Sequence, residues 1–217
     1  MSRKTGDDRR ETIRIPFVFP LPSSVYRLRI PLMKKLAISS SLLLLGLASL
    51  SLAGEVAGVK IPDTVTVEGK TLKLNGMGLR KKVVFKVYVA GLYVETPSRD
   101  AAAIVSSDQI KSMRLSILRS LKGSQITEAI VEGFEKNSKA QMGALKARLD
   151  RFNAMFPDVV EGDQIDMTYL PGKGTVVTAK GAEKGVIEGK DFADALFSVW
   201  LGPNPVQEDL KKALLGG

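Results

Sequence analysis

The chain has 217 residues, 44% of them hydrophobic, which suits one domain with a substantial core. Residues 54–217 hold 23 basic and 20 acidic side chains, a net charge of +3, so most of the +9 of the whole chain lies before them and a nucleic-acid-binding surface is not expected. The chain has no Cys and no His, which excludes disulfides, Cys/His metal sites and Ser-His-Asp or Cys-His catalysis, and we expect no metal and no cofactor.

The N-terminal part has the pattern of a secretory signal peptide. Met33 is followed by two lysines and an apolar run, residues 36–52, that ends in small residues. This predicts a signal peptide at 33–53, a mature domain at 54–217, a periplasmic or secreted location, and no membrane span after cleavage. A transmembrane anchor is the alternative, but the run is short and interrupted by serines. We interpret residues 1–32, rich in Arg and Pro, as an over-extended N-terminus; a cytoplasmic tail is the alternative.

The mature part begins with strand patterns. Residues 58–78 alternate apolar and polar side chains around a Gly-containing turn, which predicts a short hairpin. A longer strand is predicted from Val83 to Val94. Its odd-numbered side chains are all apolar or glycine, apart from the phenol of Tyr93, and predict a core face. Its even-numbered side chains are mixed and predict a second, partly wet surface.

Helices and further strands follow in blocks. The remaining predictions are a helix at 98–109 with Ser98 as N-cap, a strand at 110–121, helices that include residues 126–156, a hairpin at 163–181 with Pro171-Gly172 in the turn, a strand at 185–189, and two helices that end the chain, the last one capped by Asn204. This order lacks a regular β-α-β alternation. The sequence therefore predicts an α+β fold, an antiparallel sheet with helices packed on one face.

Two motifs suggest chemistry but have simpler explanations. The segment PGKGT at 171–175 resembles a phosphate loop, yet it lies between two strands and is interpreted as a hairpin turn. The carboxylate pairs Asp163/Asp166 and Asp191/Asp194 have the composition of an acid/base pair. We interpret them instead as loop, strand-surface and helix-start residues.

Arg80 is the most informative polar residue. It follows the Gly-rich segment NGMG at 75–78, which we interpret as a turn, and it precedes the apolar strand. If the alternation of that strand extends back to it, Arg80 shares a face with Lys86 and Tyr88. A guanidinium and a phenol at the edge of an apolar surface would suit a carboxylate or an enolate oxygen. The alternative is that Arg80 caps loop carbonyls and Tyr88 is an amphipathic core residue.

Several segments together resemble the chalcone isomerase-like superfamily, and most closely its bacterial exported branch. These segments are GMGLRKKVVFKVYVAGLYVE, GFEKN, GDQIDMTYLPGKGTVV, VIEGKDFADALFSVWLG and the terminal LKKALLG. The resemblance covers nearly all of residues 58–216. It implies an open-faced β-sandwich, a large antiparallel sheet with helices on one side, in agreement with the order of elements.

The resemblance also implies two possible functions. Plant members cyclise a chalcone, and the positions that hold its oxygens match Arg80, Tyr88, Ile126, Gly133 and Ala193 here. Only the arginine is retained, and three of the other four positions have no polar side chain. Loss of one preorganised donor typically lowers the rate by about 10²–10³. Isomerase activity is therefore not expected.

Non-catalytic relatives, which bind fatty acids, resemble this pattern better. The resemblance implies that Arg80 and Tyr88 hold the head of a small amphipathic carboxylate, and that apolar side chains such as Ile126 and Phe134 line the site of its tail. Two alternatives stay open. One is an intramolecular lyase acting on a phenolic enone; the other is an envelope scaffold that binds a protein and has only a shallow or filled groove.

Overall fold

The computed structural model describes residues 52–217. The segment 1–51, with nearly all of the predicted signal peptide, lies outside the described residues. The strands are β1 (Leu52–Val56), β2 (Val59–Pro62), β3 (Thr64–Val67), β4 (Lys70–Lys82), β5 (Phe85–Val94), β6 (Lys111–Ile117), β7 (Gln164–Leu170), β8 (Gly174–Ala179) and β9 (Ala182–Ile187). The helices are α1 (Ala101–Ser106), α2 (Gly123–Asn137), α3 (Met142–Asn153), α4 (Lys190–Leu201) and α5 (Glu208–Leu214), with a 3-10 turn at Lys139–Gln141.

Strands β3 to β9 form one curled antiparallel sheet in chain order, and β1 and β2 form a separate hairpin. Helix α1 lies between β5 and β6 in the chain, α2 and α3 lie between β6 and β7, and α4 and α5 follow β9. The predicted α+β class, with an antiparallel sheet and helices packed on one face, is confirmed.

The face of the sheet under the helices is apolar because the apolar residues of neighbouring strands pair with one another across the sheet. Leu92 lies opposite Met113, Met113 opposite Met167, and Met167 opposite Val177. All four are fully buried, and the helices cover them with side chains such as Phe134. This row belongs to the main hydrophobic core, and its burial against the helices stabilises the domain.

The opposite face is mixed. In the row beside the apolar one, Arg114 Nε donates to Asp166 Oδ1 at 2.7 Å, and the hydroxyls of Ser112 and Thr168 lie 2.7 Å apart. A smaller hydrophobic cluster around Tyr93 adjoins these groups. This face is therefore partly polar and partly apolar.

The predicted faces of β5 are reversed. The even-numbered residues Tyr88, Ala90, Leu92 and Val94 belong to the main core under the helices, whereas Tyr93 lies in the smaller cluster. Periodicity identified the two faces correctly, but the helices cover the face with the more mixed composition. The phenol of Tyr88 made that face look wet, although its ring packs in the core.

The start of the long strand also differs from the prediction. Val83 and Val84 form the turn between β4 and β5, and Val83 has a positive φ of 56°. Arg80 therefore lies on β4, on the strand before Tyr88, and the two residues are cross-strand partners. Directly opposed residues project on the same face, so the predicted shared face holds through pairing between strands and not through alternation along one strand.

Two predicted caps are wrong. The Oδ1 atom of Asp100, not a group of Ser98, accepts from the backbone N–H of Ala103 at the start of α1. The last helix begins at Glu208 after Gln207, later than the predicted cap at Asn204. The later start places Gln207 at the end of α5 that faces Arg80.

Helix α5 packs closely against β4 because two residues of the strand are glycines and have no side chain between strand and helix. A Cβ atom at Gly76 would lie 2.2 Å from the carbonyl oxygen of Ala213, and one at Gly78 would lie 2.7 Å from the Cβ atom of Ala213. The Asn75 amide donates to the carbonyl of Leu214 at 2.8 Å, which binds the C-terminal end of α5 to the strand.

Candidate functional site

A cavity of about 540 Å³ opens between the sheet and the helices. Its walls are the β4–β5 hairpin, the end of β6 with the segment after it, one face of α2, and the last turn of α4. The lining side chains include Arg80, Lys82, Val83, Phe85, Val87, Tyr88, Leu115, Arg119, Gln125, Ile126, Ile130, Val199 and Trp200. The volume lies in the range of small-molecule sites.

Arg80 is held in place by neighbouring oxygen atoms. Its Nη1 donates to the carbonyl of Lys81 and, at 3.2 Å, to Gln207 Oε1. The same Gln207 oxygen accepts from the backbone N–H of Lys81 at 2.9 Å. The Nε2 atom of Gln207 donates to the carbonyl of Leu79 at 3.3 Å. The one backbone carbonyl that Arg80 binds, that of Lys81, belongs to β4 and not to a loop. A guanidinium has five N–H groups, so donors remain for a ligand in the cavity.

Tyr88 is buried beside this arginine. Its hydroxyl oxygen accepts from Trp200 Nε1 at 3.0 Å, which leaves the hydroxyl proton available for an acceptor. Burial raises the pKa of Tyr88, although Trp200 and Arg80 act in the opposite direction. The phenol is therefore neutral at physiological pH and acts as a hydrogen-bond donor.

The rest of the cavity is apolar inside and charged at its rim. Val87, Leu115 and Ile126 supply apolar walls. The carboxylate of Glu132, also in the lining, accepts from Lys136 Nζ at 2.7 Å, and this pairing lowers the pKa of Glu132. The arrangement offers cationic and phenolic donors next to apolar surface, which is suited to an anion with an apolar body.

The structure brings together three of the four residues that the sequence singled out. Arg80, Tyr88 and Ile126 line the cavity. Phe134 does not: it is fully buried, its ring centroid lies 5.4 Å from that of Phe192, and it belongs to the core beneath the cavity residues of α2. Phe134 shares a helix face with Ile126 and Ile130, but it lies one turn beyond Ile130 and is no longer in the lining of the cavity.

The other positions with isomerase counterparts have structural surroundings. A Cβ atom at Gly133 would lie 2.7 Å from Val199 Cγ1, so this glycine permits the close packing of α2 and α4. Ala193 is fully buried and is not a lining residue of the cavity. Neither position supplies a polar side chain to the site.

Sequence reasoning missed three residues of the site. Trp200 and Gln207 support Tyr88 and Arg80 through the contacts above. Arg119 lies at the rim, with its guanidinium carbon 4.5 Å from the ring centroid of Phe85. Trp200 is the single tryptophan of the chain, which was the one available signal. The other two are unremarkable in composition and acquire their place only through folding.

Residues 52–217 contain no group of three or more acidic side chains placed to hold a metal ion. Within the same residues, every helix is too short or too polar to cross a bilayer.

Comparisons with known proteins agree with the fold. A model of the family described as chalcone isomerase-like matches residues 53–216. A solved fatty-acid binding protein of Arabidopsis thaliana superposes with a TM-score of 0.60 at 18% sequence identity, covering 73% of this chain and 92% of that one. At this identity the likeness shows the fold alone. No curated protein matches the sequence. Because the family model spans the sheet, the helices and the cavity, the chain belongs to the chalcone isomerase-like family.

Proposed function

We propose that the domain is a non-catalytic binding protein for a fatty acid or a similar small amphipathic carboxylate. The observation that carries this proposal is the cavity of about 540 Å³ in which Arg80 and Tyr88 adjoin an apolar wall. The solved relative named as a fatty-acid binding protein has the same fold and supports the ligand class.

The head of the ligand lies at the sheet. Arg80 and Tyr88 are opposed on β4 and β5, so one carboxylate can accept from the guanidinium and from the phenol together. Tyr88 keeps its proton because burial raises its pKa, and the indole of Trp200 fixes the position of the phenol oxygen. The tail then lies against Val87 and Ile126.

The cavity favours this function over the two alternatives. A scaffold was expected to have a shallow or filled groove, whereas this cavity is large enough for a small molecule. An isomerase needs preorganised donors and a proton-transfer group around the reacting oxygens. Ile126 and Gly133 occupy two of those positions and supply neither.

Native mass spectrometry and titration with palmitate test the ligand and its head group. Removal of a charged hydrogen-bond donor should weaken binding by about 10- to 100-fold, since such bonds contribute about 1.5–3 kcal/mol. We expect this for Arg80→Ala. The matched control is Arg99→Ala, which removes an exposed arginine that does not line the cavity.

Three outcomes separate the hypotheses. Palmitate binding by wild type that is weakened in Arg80→Ala and unchanged in Arg99→Ala supports the proposal. Equal affinity of Arg80→Ala and wild type would show that the head group lies elsewhere. Turnover of a chalcone by the wild-type protein would replace the binding function with an enzymatic one.

We also propose that the protein is exported to the periplasm or secreted. The support is the lysine pair, apolar run and small-residue end at 33–53. Sequencing the N-terminus of the protein recovered from the envelope fraction tests this. A start at Gly54 supports export, and recovery of the unprocessed chain from the cytoplasm contradicts it.

A further inference from the structure

The β4–β5 hairpin tip, defined here as residues 81–86, exposes apolar side chains. Val83 is 88% exposed, Val84 78% and Phe85 56%. Within residues 52–217 they are three of the four large hydrophobic side chains that are exposed to this degree. Apolar surface concentrated in one place on a soluble domain marks an interaction site.

Cations surround this apolar tip. Within the tip, Lys81, Lys82 and Lys86 flank the three apolar residues in the chain, and all three lysines are exposed. Arg119 lies over the ring of Phe85 at 4.5 Å. Two carboxylates of α2, Glu128 and Glu132, line the cavity beside the tip, and Glu132 is paired with Lys136. The tip therefore has a net positive charge.

An apolar tip ringed by cations fits one kind of partner. Apolar side chains enter the boundary between headgroups and acyl chains, while lysine and arginine heads remain among anionic headgroups. A protein partner fits less well, because a stable interface needs about 800 Å² on each side and three side chains supply far less.

The tip is continuous with the cavity. Lys82, Val83 and Phe85 of the tip are exposed and also line the cavity, and so does the exposed Arg119 beside them. We propose that the tip inserts into an anionic lipid surface, and that the ligand passes between the bilayer and the cavity at this point. The passage step rests on the proposed function; the docking of the tip does not.

The absence of cysteine makes a direct test possible. In Val84→Cys the new thiol is the single labelling site of the full chain, and an environment-sensitive fluorophore there reports insertion. The control is Lys173→Cys, in the β7–β8 turn at the other end of the sheet. Because both labels are in the full chain, any membrane binding by the apolar segment before residue 54 is common to the two.

We expect a blue shift of the label at position 84, but not at 173, with vesicles of phosphatidylglycerol and phosphatidylcholine. Pure phosphatidylcholine should give a much smaller shift. Equal responses at both positions would overturn the docking. A shift that depends on protein concentration without vesicles would assign the tip to a second copy of the chain and would also overturn it.

A second variant tests the passage of the ligand. Lys86 does not line the cavity, so the variant Lys86→Gln should bind soluble palmitate as wild type does. Its affinity for anionic vesicles should fall about fivefold, and transfer of palmitate from vesicles should slow in parallel. Unchanged transfer with weakened docking would overturn the passage step. Docking by a protein that binds no palmitate would refute the proposed function and leave the docking intact.

Discussion

At the residue scale, Lys111 shows how this fold accommodates a buried charge. Its side chain is fully buried, and Nζ donates to the carbonyls of Ile104 at 3.1 Å and Ser107 at 3.0 Å, at the end of α1. Asp194 Oδ1 lies 3.5 Å away. The lysine thus satisfies carbonyls that a helix leaves without partners at its C-terminus. Sequence reasoning placed Lys111 at the start of a strand without a role.

A pH dependence of stability follows. Burial lowers the pKa of Lys111 from 10.5 to about 8, although Asp194 opposes the shift. Between these two values the unfolded chain binds more protons than the native protein, so this residue makes the free energy of unfolding rise as pH increases from about 8 to 10. We therefore expect the unfolding free energy of wild type, minus that of Lys111→Met, to rise over this range. Urea unfolding at several pH values measures it, and a difference that is flat or falls would contradict the assignment.

Tyr88 has a structural role in addition to its proposed contact with the ligand. In Tyr88→Phe the indole N–H of Trp200 loses its acceptor inside the protein. A buried donor without a partner costs about 1–3 kcal/mol of stability. We expect the free energy of unfolding to fall by this amount in urea titrations.

Tyr93→Phe is the matched control for this loss. The Tyr93 hydroxyl donates at 2.8 Å to the part-buried carbonyl of Pro62, where water can take its place. We therefore expect a smaller loss of stability than in Tyr88→Phe. A larger loss in Tyr93→Phe would show that the Tyr88–Trp200 bond is not the more important one.

At the element scale, the contact between α5 and β4 sets the position of Arg80. Gly76, Gly78 and Arg80 alternate on the face that the helix covers, and Gln207 at the start of α5 binds Arg80. The Gly-rich segment, which sequence reasoning interpreted as a turn, is the middle of a strand. Its glycines are needed for close approach of the helix and not for a turn.

Gly76→Ala should move this helix. The added Cβ would meet backbone atoms of Ala213 and Leu214, at 2.2 and 2.7 Å, and backbone cannot rotate away. Overpacking of this kind costs about 1–3 kcal/mol, and we expect weaker palmitate binding as Gln207 shifts. In the control Gly143→Ala, a Cβ would meet no atom within 4 Å in α3, and helix propensity should raise stability by up to about 1 kcal/mol. Thermal unfolding compares the two, and equal stability would contradict the close contact.

At the scale of the whole molecule, the ligand should stabilise the domain. A ligand at about one hundred times its Kd adds about 2.7 kcal/mol. In a domain of this size each kcal/mol raises Tm by about 2–4 °C. Palmitate should therefore raise Tm by about 5–10 °C. The alcohol of the same chain length, which lacks the carboxylate, should raise it less, and so should palmitate with Arg80→Ala. Equal shifts for acid and alcohol would argue against a carboxylate site.

The order of strands and helices, and hence the antiparallel α+β fold, was readable from the sequence. Alternation with period two and periodicity of 3.6 are local properties, because each residue's side chain projects at an angle that the backbone fixes. Arg80 and Tyr88 were also identified from a local pattern, because a charged and a phenolic side chain are unusual beside an apolar strand. Ile126 came from the family resemblance, and it does line the cavity.

Only the tertiary structure decided which residues meet. The β4–β5 turn at Val83 made Arg80 and Tyr88 cross-strand partners. The bond from Trp200 to Tyr88 joins residues 112 positions apart, and that from Arg80 to Gln207 joins residues 127 apart. No local sequence pattern predicts such pairs, because they depend on how the helices pack on the sheet. The same packing placed Phe134 in the core, one helical turn beyond the cavity, and left the apolar hairpin tip in solvent at its rim.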